Sequence, residues 1–319
     1  MNFLDLFSGI GGFRLGLERN GHTPVGYVEI DKFARQSYNA MFDTSGEWTA
    51  TDITKVTDEE WRKFNGKVDI IAGGFPCQAF SIAGKRMGFL DSTKGTLFFE
   101  VARAAKQIQP RYLFLENVKG LLNHGSGNTF RTILNTLDEL GYDVEWRVLN
   151  SKDFGVPQNR ERVYIIGHLR GDGGREVFPF FGENGETYQP IVNTNYNSSE
   201  TISLDIIPKV MVKEATKKGY DIATVGDSIN IAQPNSKTRR GRVGHGIANT
   251  LVTGSEQTTL TNDGRIRMLT PRECWRLQAF PDELFDKVKD AGLSDSQLYK
   301  QAGNSVTVNV IEAISKGFK

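Results

Sequence analysis

Two cysteines, Cys77 and Cys274, are all that this 319-residue chain contains. That scarcity excludes a disulfide framework, and two thiols alone cannot complete a structural zinc site. A reducing cytoplasm is the expected setting. No apolar run approaches the ~18 residues of a membrane span. The opening "MNFLDLFSGIGG" lacks a charged n-region, an extended apolar core and a small-residue cleavage site, so no signal peptide is expected there. Neither sign of charge dominates: 39 Lys and Arg oppose 38 Asp and Glu. A net charge of +1 does not advertise a polyanion partner. A basic face can still be balanced by acids elsewhere, so distribution matters more than the sum. Internal repeats and low-complexity tracts are absent as well.

What the chain does have is rhythm. Through residue 170, short apolar runs alternate with helix-like segments. "FLDLF" and "TPVGYVEI" read as strands. "VDIIAGG" and "YLFLE" are continuous apolar runs, as expected of strands buried on both faces of a parallel sheet. Gly12–Arg19, Leu97–Gln107 and Asn128–Leu140 read as helices, the last with Asn128 as its cap and Gly141 just past its end. "VEWRVLN" and "RVYIIGHL" are later strands. This is the pattern of a doubly wound, mostly parallel α/β domain. From about residue 171 the composition turns to Gly, Asn, Thr and Ser with only short β-like pieces. A second, smaller β- and loop-rich domain is expected there. Order returns at "RMLTPRECWRLQAFPD", where Thr270 and Glu273 are spaced as a capping box around Pro271. Cys274 lies in that helix and reads as structural.

Three predicted strands deliver polar groups to one edge of the sheet. "DLFSGIGGF" places a glycine turn after the first strand, where a nucleotide-like cofactor commonly binds. The pattern G-x-G-x-x-G fails at Arg14, which weakens a nicotinamide reading. A ligand with a ribose and no phosphates fits better, and Glu29, closing the next strand, could accept from both ribose hydroxyls. Cys77 follows "VDIIAGGFP" rather than lying inside an apolar run, and Glu116 and Asn117 close "YLFLENV". Ligand crevices of open α/β sheets lie at these carboxyl ends. After Cys77 comes a polar stretch with Gly84, Gly88 and Gly95 and the cations Lys85, Arg86 and Lys94, readable as a lid or as an ordinary exposed loop. "QNRERVY" puts Arg160 and Arg162 two apart, on one face if extended. "SKTRRGRVGH" holds Lys237, Arg239, Arg240 and Arg242 without an acid. It could be a solvated loop or a nucleic-acid contact.

These motifs, in this order, resemble the DNA (cytosine-5) methyltransferases of bacterial restriction–modification systems, the HhaI-like family, over nearly the whole chain. The matching stretches are "DLFSGIGGFRLGLE", "EID", "TDI", "GGFPCQAFS", "GTLFF", "ENV", "QNRER", "LTPRECWRLQAFP" and "QAGNSVTVNV". The resemblance implies a Rossmann-like S-adenosylmethionine domain over 1–182, completed by 301–319. It further implies a target-recognition domain over 183–266 and a connecting segment over 267–300. Cys77 would be the nucleophile, Glu116 would contact cytosine N3, and Arg162 would hold the ring oxygen with Arg160 nearby. Phe7, Gly9, Gly11, Glu29, Ile30, Asp52, Ile53, Pro76, Leu97 and Asn304 would surround the cofactor. Gln78, Ser81, Lys85, Arg86, Lys237, Arg239, Arg240, Arg242 and Thr250 would meet DNA, Thr250-Leu251 matching the pair that ends the recognition region. Ile30 stands where relatives place an aromatic, Ala83 where a lid serine is common, and Asn159 where a basic residue is frequent. These departures touch cofactor affinity and lid contacts, not the reaction.

The implied activity is methyl transfer from S-adenosylmethionine to C5 of a cytosine flipped out of a short, specific duplex sequence, leaving S-adenosylhomocysteine. No metal is expected. A monomer is expected, with double-stranded DNA as partner, no membrane, and a cognate endonuclease acting on the same site without a stable complex. The rival readings are a transfer-RNA cytosine-5 methyltransferase, a catalytically silent DNA-binding relative and a nicotinamide oxidoreductase.

Overall fold

The first strand, β1 (Asn2–Leu6), explains why the sheet forms where it does. Phe3, Leu4 and Leu6 are fully buried on alternate faces, as a central parallel strand requires. A computed structural model describes residues 1–76, 97–171, 177–178, 208–232, 236–238 and 240–318. The chain runs on through α1 (Gly12–Glu18), β2 (Thr23–Val28), α2 (Lys32–Met41), β3 (Trp48–Ala50), α3 (Asp58–Arg62) and β4 (Ile70–Gly74). Next come α4 (Leu97–Ile108), β5 (Tyr112–Val118), α5 (Asn128–Glu139), β6 (Tyr142–Asn150) and β7 (Glu161–Leu169). The seven strands lie in the order β3-β2-β1-β4-β5-β7-β6. Pairings among β1 to β5 are parallel, whereas β7 runs antiparallel to β5. The expected mostly parallel doubly wound sheet is therefore present. Its order reverses between β1 and β4, and such a switch point opens a crevice at the strands' carboxyl ends.

Helix α4 buries Phe98, Val101, Ala102, Ala105 and Ile108, the spacing of one amphipathic face. The start of α5 differs from expectation. Gly127, in the left-handed region at φ 82°, is the cap, and Asn128 already lies in the first turn, accepting from Arg131 Nη1 at 3.1 Å. A residue without Cβ adopts that φ at no steric cost, so the glycine takes the capping position from the asparagine.

Two compact units emerge. The first comprises Met1–Leu149, Glu161–Phe180 and Ser305–Lys319. Its C-terminal helix is packed directly on α1: a Cβ on Gly16 would sit 2.6 Å from Ile311 Cβ, so only glycine admits this approach. The second comprises Asn150–Arg160 and Phe181–Asn304. It holds the hairpin β8 (Lys209–Lys213) and β9 (Tyr220–Thr224). It also holds a four-stranded sheet of β10 (Ser228–Asn230), β11 (Val243–Gly244), β12 (Gln257–Leu260) and β13 (Ile266–Met268), in the order β11-β10-β12-β13. Helices α6 (Pro271–Arg276), α7 (Asp282–Asp290) and α8 (Asp295–Asn304) follow, and the remaining helix α9 (Val308–Ser315) is the one packed on α1 in the first unit.

The capping box read at Thr270 is formed. Thr270 Oγ1 accepts from the Glu273 amide at 3.3 Å, and Glu273 Oε2 accepts from the Thr270 amide at 2.7 Å. Arg267 grips the same carboxylate with two bonds of 2.7 and 2.9 Å. Cys274 is buried, and burial pushes its thiol up to about 12, which suits an inert packing role. The Arg267 hydrogen bonds draw the Glu273 carboxyl down to about 2 from 4.5. An acid whose proton is held more weakly in the folded state stabilises above its unfolded value, and that contribution fades as pH falls through the folded one. Glu273→Gln is therefore expected to lower the urea midpoint at pH 7 and to lose most of that difference by pH ~2. Paired unfolding curves at the two pH values check this.

Candidate active site

The turn after β1 is built from left-handed residues. Phe7, Gly9 and Gly11 have φ of 57°, 55° and 82°. A Cβ on Gly11 would meet the Phe42 ring at 2.4 Å, whereas one on Gly9 would meet nothing within 4 Å. The turn is thus packed on one side and open at Gly9. The Gly9 amide donates to Glu29 Oε2 at 2.7 Å, and the Asp31 amide donates to Glu29 Oε1 at 2.7 Å. Burial raises the affinity of Glu29 for its proton, and these amides oppose that rise. Both carboxylate oxygens are oriented, and each oxygen has a second lone pair with which to accept. Ile30 beside it is 69 % exposed, an apolar surface at the rim of a fixed acid. An oriented carboxylate, an open glycine and an apolar face fit a nucleoside with two ribose hydroxyls.

Asp52 caps a short 3-10 turn, accepting from the Thr54 amide and hydroxyl at 2.9 and 2.7 Å; these bonds lower its proton affinity. Ile53 behind it is buried. Pro76 is exposed, and Leu97 and Phe7 are half-buried, all in the first unit. Asn304 is exposed at the end of α8, in the second unit.

Glu116 sits near the end of β5. The register places Val118 opposite Arg162 and Glu116 opposite Tyr164. Glu116 and Val118 share a face, so Arg162 reaches Glu116 diagonally across the antiparallel pair. Arg162 Nε lies 3.0 Å from Glu116 Oε1, with both side chains nearly buried. The other oxygen, Oε2, faces Gly74, where a Cβ would lie 3.0 Å away. Asn117 Nδ2 donates to the Phe75 carbonyl at 2.7 Å and so fixes the backbone at the end of β4. Cys77, Gln78, Ser81, Lys85 and Arg86 fall outside the described residues. Sequence reading missed Gly74, although the Gly73-Gly74 pair before the proline was its visible mark.

Among the described residues, Arg160 is bonded to other groups than Arg162 is. It precedes β7, is 3 % exposed, and donates to the carbonyls of Leu251 and Gly303 at 3.2 and 3.0 Å. Gln158, fully buried, accepts from the Leu251 amide at 3.1 Å. Both backbone groups of Leu251 are thus tied within the second unit, and Arg160 positions backbone there. The expected same-face pairing assumed a strand through both arginines, but β7 begins at Glu161.

In the basic stretch, Lys237 and Arg240 are exposed, and Arg240 Nε donates to the Ala215 carbonyl at 2.8 Å. Arg239 lies outside the described residues. Arg242, expected among the DNA contacts, is instead buried, donating to the carbonyls of Asn230 and Lys213 at 3.1 Å each. A guanidinium taken out of water needs such acceptors. Thr250 donates its hydroxyl to the Asn159 carbonyl at 2.6 Å.

A doubly wound sheet with an acid and glycine turn at its carboxyl edge is consistent with the S-adenosylmethionine methyltransferase fold class. The sequence profile described as C-5 cytosine-specific DNA methylase matches residues 1–319, and the chain belongs to that family as a DNA (cytosine-5) methyltransferase. It is 40 % identical over 321 residues to the type II methyltransferase M.NgoBI of Neisseria gonorrhoeae, covering 98 % of this chain and 91 % of that one. It is 36 % identical to M.HhaI of Haemophilus parahaemolyticus, covering 99 % and 93 %. Among solved structures, a DNMT2 variant of Spodoptera frugiperda superposes with a TM-score of 0.62 at 20 % identity, covering 99 % and 98 %; this likeness concerns the fold.

Gly74→Ala would press a methyl group against Glu116 Oε2. The backbone at Gly74 is ordinary strand, so folding should survive. The expected result is a kcat lowered roughly tenfold or more, as misplacing a reacting group by a fraction of an ångström does, with KM for DNA little changed. Steady-state methylation of duplex DNA checks it.

Proposed function

We propose that Cys77 attacks C6 of a cytosine swung out of duplex DNA, with Glu116 and Arg162 holding that base. The observation that carries this reading is the divided carboxyl of Glu116: Oε1 bound to Arg162, Oε2 beside Gly74 near the end of the strand that leads in sequence to Cys77. Cytosine C5 is a poor nucleophile while the ring is aromatic. A sulfur nucleophile adding to C6 breaks the aromaticity and sends electron density to C5 and towards N3. Glu116, protonated on Oε2 while Oε1 accepts from Arg162, meets that charge with a hydrogen bond. Arg162 orients the carboxyl and is proposed to hold the ring oxygen. Once C5 carries the methyl group that the bound cofactor would supply, loss of the C5 proton to a base sends its electron pair towards C6, the thiolate is expelled, and the ring is restored.

A free cysteine of pKa about 8.5 is only a few per cent thiolate at pH 7, so nearby cations that enlarge that fraction assist. S-adenosylmethionine, when bound, supplies an electrophilic methyl group. Phe7, Gly9, Gly11, Glu29, Ile30, Asp52, Ile53, Pro76, Leu97 and Asn304 are proposed to hold it, Glu29 through the ribose hydroxyls. Its charge chemistry needs no metal.

Extruding the base costs roughly a few kcal/mol. Phosphate contacts from Lys237 and Arg240, and from Gln78, Ser81, Lys85 and Arg86, are proposed to offset it. Exposed arginine can also pair bidentately with guanine in the major groove. The recognition region is assigned to 183–266. A protective role beside an endonuclease of the same specificity is proposed, in line with relatives named as type II methyltransferases, and the chain is proposed to act as a cytoplasmic monomer.

Cys77→Ser is expected to abolish turnover while retaining duplex binding, and Glu116→Gln to lower kcat roughly 10²–10⁴-fold. Wild-type protein should form a covalent adduct with 5-fluorocytosine-substituted duplex, and the serine variant should not. Near-normal methylation by Cys77→Ser would end the mechanism. Transfer of labelled methyl to transfer RNA rather than to duplex DNA would support the RNA reading.

A further inference from the structure

Exposed Arg240 immediately precedes backbone that an acid holds in place. Glu214, just beyond β8, is 7 % exposed. Its Oε2 accepts from the Gly241 amide at 3.0 Å, and its Oε1 accepts from the Arg242 and Val243 amides at 2.6 and 3.2 Å. Three consecutive backbone N–H groups thus converge on one carboxylate. Convergence of this kind needs a sharp reversal, and Gly241 supplies it at φ 63°. A second acid closes the far end. Asp227 Oδ1 accepts from the Gly246 amide at 3.0 Å, and its Oδ2 lies 3.1 Å from His245 Nδ1. Gly244 cannot be enlarged, since a Cβ there would lie 1.9 Å from the Ile247 carbonyl. Residues 240–246 are therefore clamped at both ends, with Arg240 exposed at one of them.

We infer that Glu214 is a specificity-determining positioning residue: it sets the shape of the 240–243 turn that aims the recognition cations at DNA, without touching DNA itself. An acid in a DNA-facing region would ordinarily be expected to repel phosphates. Here its charge is enclosed and answered by backbone dipoles, a nest in reverse, with the protein supplying both anion and amides. Charge-assisted hydrogen bonds are short and directional, and readout of a base edge depends on an arginine held at a fixed angle. A turn free to sample other shapes would still attract phosphates but would discriminate poorly between sequences. The inference rests on the reading that the Lys237–Arg242 stretch contacts DNA.

The experiment is methylation of random-sequence duplex DNA followed by bisulfite sequencing, with duplex binding measured alongside, for wild type, Glu214→Gln, Glu214→Ala, Arg240→Ala and Lys237→Ala. Glutamine keeps one acceptor oxygen but turns an amino group towards backbone donors, so it should be the informative variant. The expected result is at least a tenfold fall in the ratio of consensus to single-mismatch methylation for Glu214→Gln. Thermal midpoint and S-adenosylmethionine binding should stay near wild type, which a general loss of structure would not allow. An unchanged ratio in a folded variant overturns the inference. Hydrogen exchange on wild type tests it even if both variants fail to fold: slow exchange at Gly241–Val243 supports the clamp, and exchange at open-loop rates overturns it. If Arg240→Ala and Lys237→Ala leave binding and consensus unchanged, the DNA-contact reading itself fails. If they weaken binding while Glu214→Gln leaves the ratio intact, only the role of Glu214 is lost.

Discussion

The bond from the Gly9 amide to Glu29 Oε2 joins the end of β1 to the end of β2 and sets the geometry of the switch edge. It exists because the turn after β1 follows a left-handed path that glycine tolerates, which turns a backbone donor sideways towards the neighbouring strand. The bond orients the acid before any ligand arrives, so ordering that side chain is not left to binding. The same arrangement recurs elsewhere: Asn117 fixes the Phe75 carbonyl, and Arg162 fixes Glu116. At each place a side chain tied to backbone or to its neighbour presents a group whose position is settled by the sheet.

Close approach of backbone is the companion constraint. Gly73 lies against the Leu6 carbonyl, where a Cβ would come within 2.2 Å, and Gly74 lies against Glu116. Gly303 lies against Val252, where a Cβ would come within 2.2 Å of the carbonyl. These glycines let strands and helix ends meet without intervening side chains. The sequence reading gave them no contact role. Their use as contact points becomes visible only when the partner backbone, far away in sequence, is in place.

The second unit solves a different problem. Among the described residues, its short strands gather a small buried cluster, Val212, Ala223, Ile229 and Val243, with Val210 against them. Buried polar groups supplement that packing: Glu214, Asp227, Arg242, Gln158 and Arg160 each bind backbone groups. A satisfied polar network is directional where apolar contact is not, so it fixes the shape of loops that a small core could not.

Most of the sheet, helices α1, α4 and α5, the Thr270 cap and the candidate roles of Glu29 and Glu116 were legible in the sequence, whereas α2, α3 and the short β3 were not read. The legible features depend on local periodicity, capping chemistry and the rule that ligands meet the carboxyl ends of strands. Tertiary structure alone decided how the arginines divide. Arg162 reaches Glu116 because β7 runs antiparallel to β5, and Arg160 turns to Leu251 and Gly303 because it lies one residue before that strand. It also buried Arg242 while leaving Arg240 exposed, two residues apart in one basic run. Residue type predicts that an arginine carries charge; which partner receives that charge depends on segments distant in sequence and near in space.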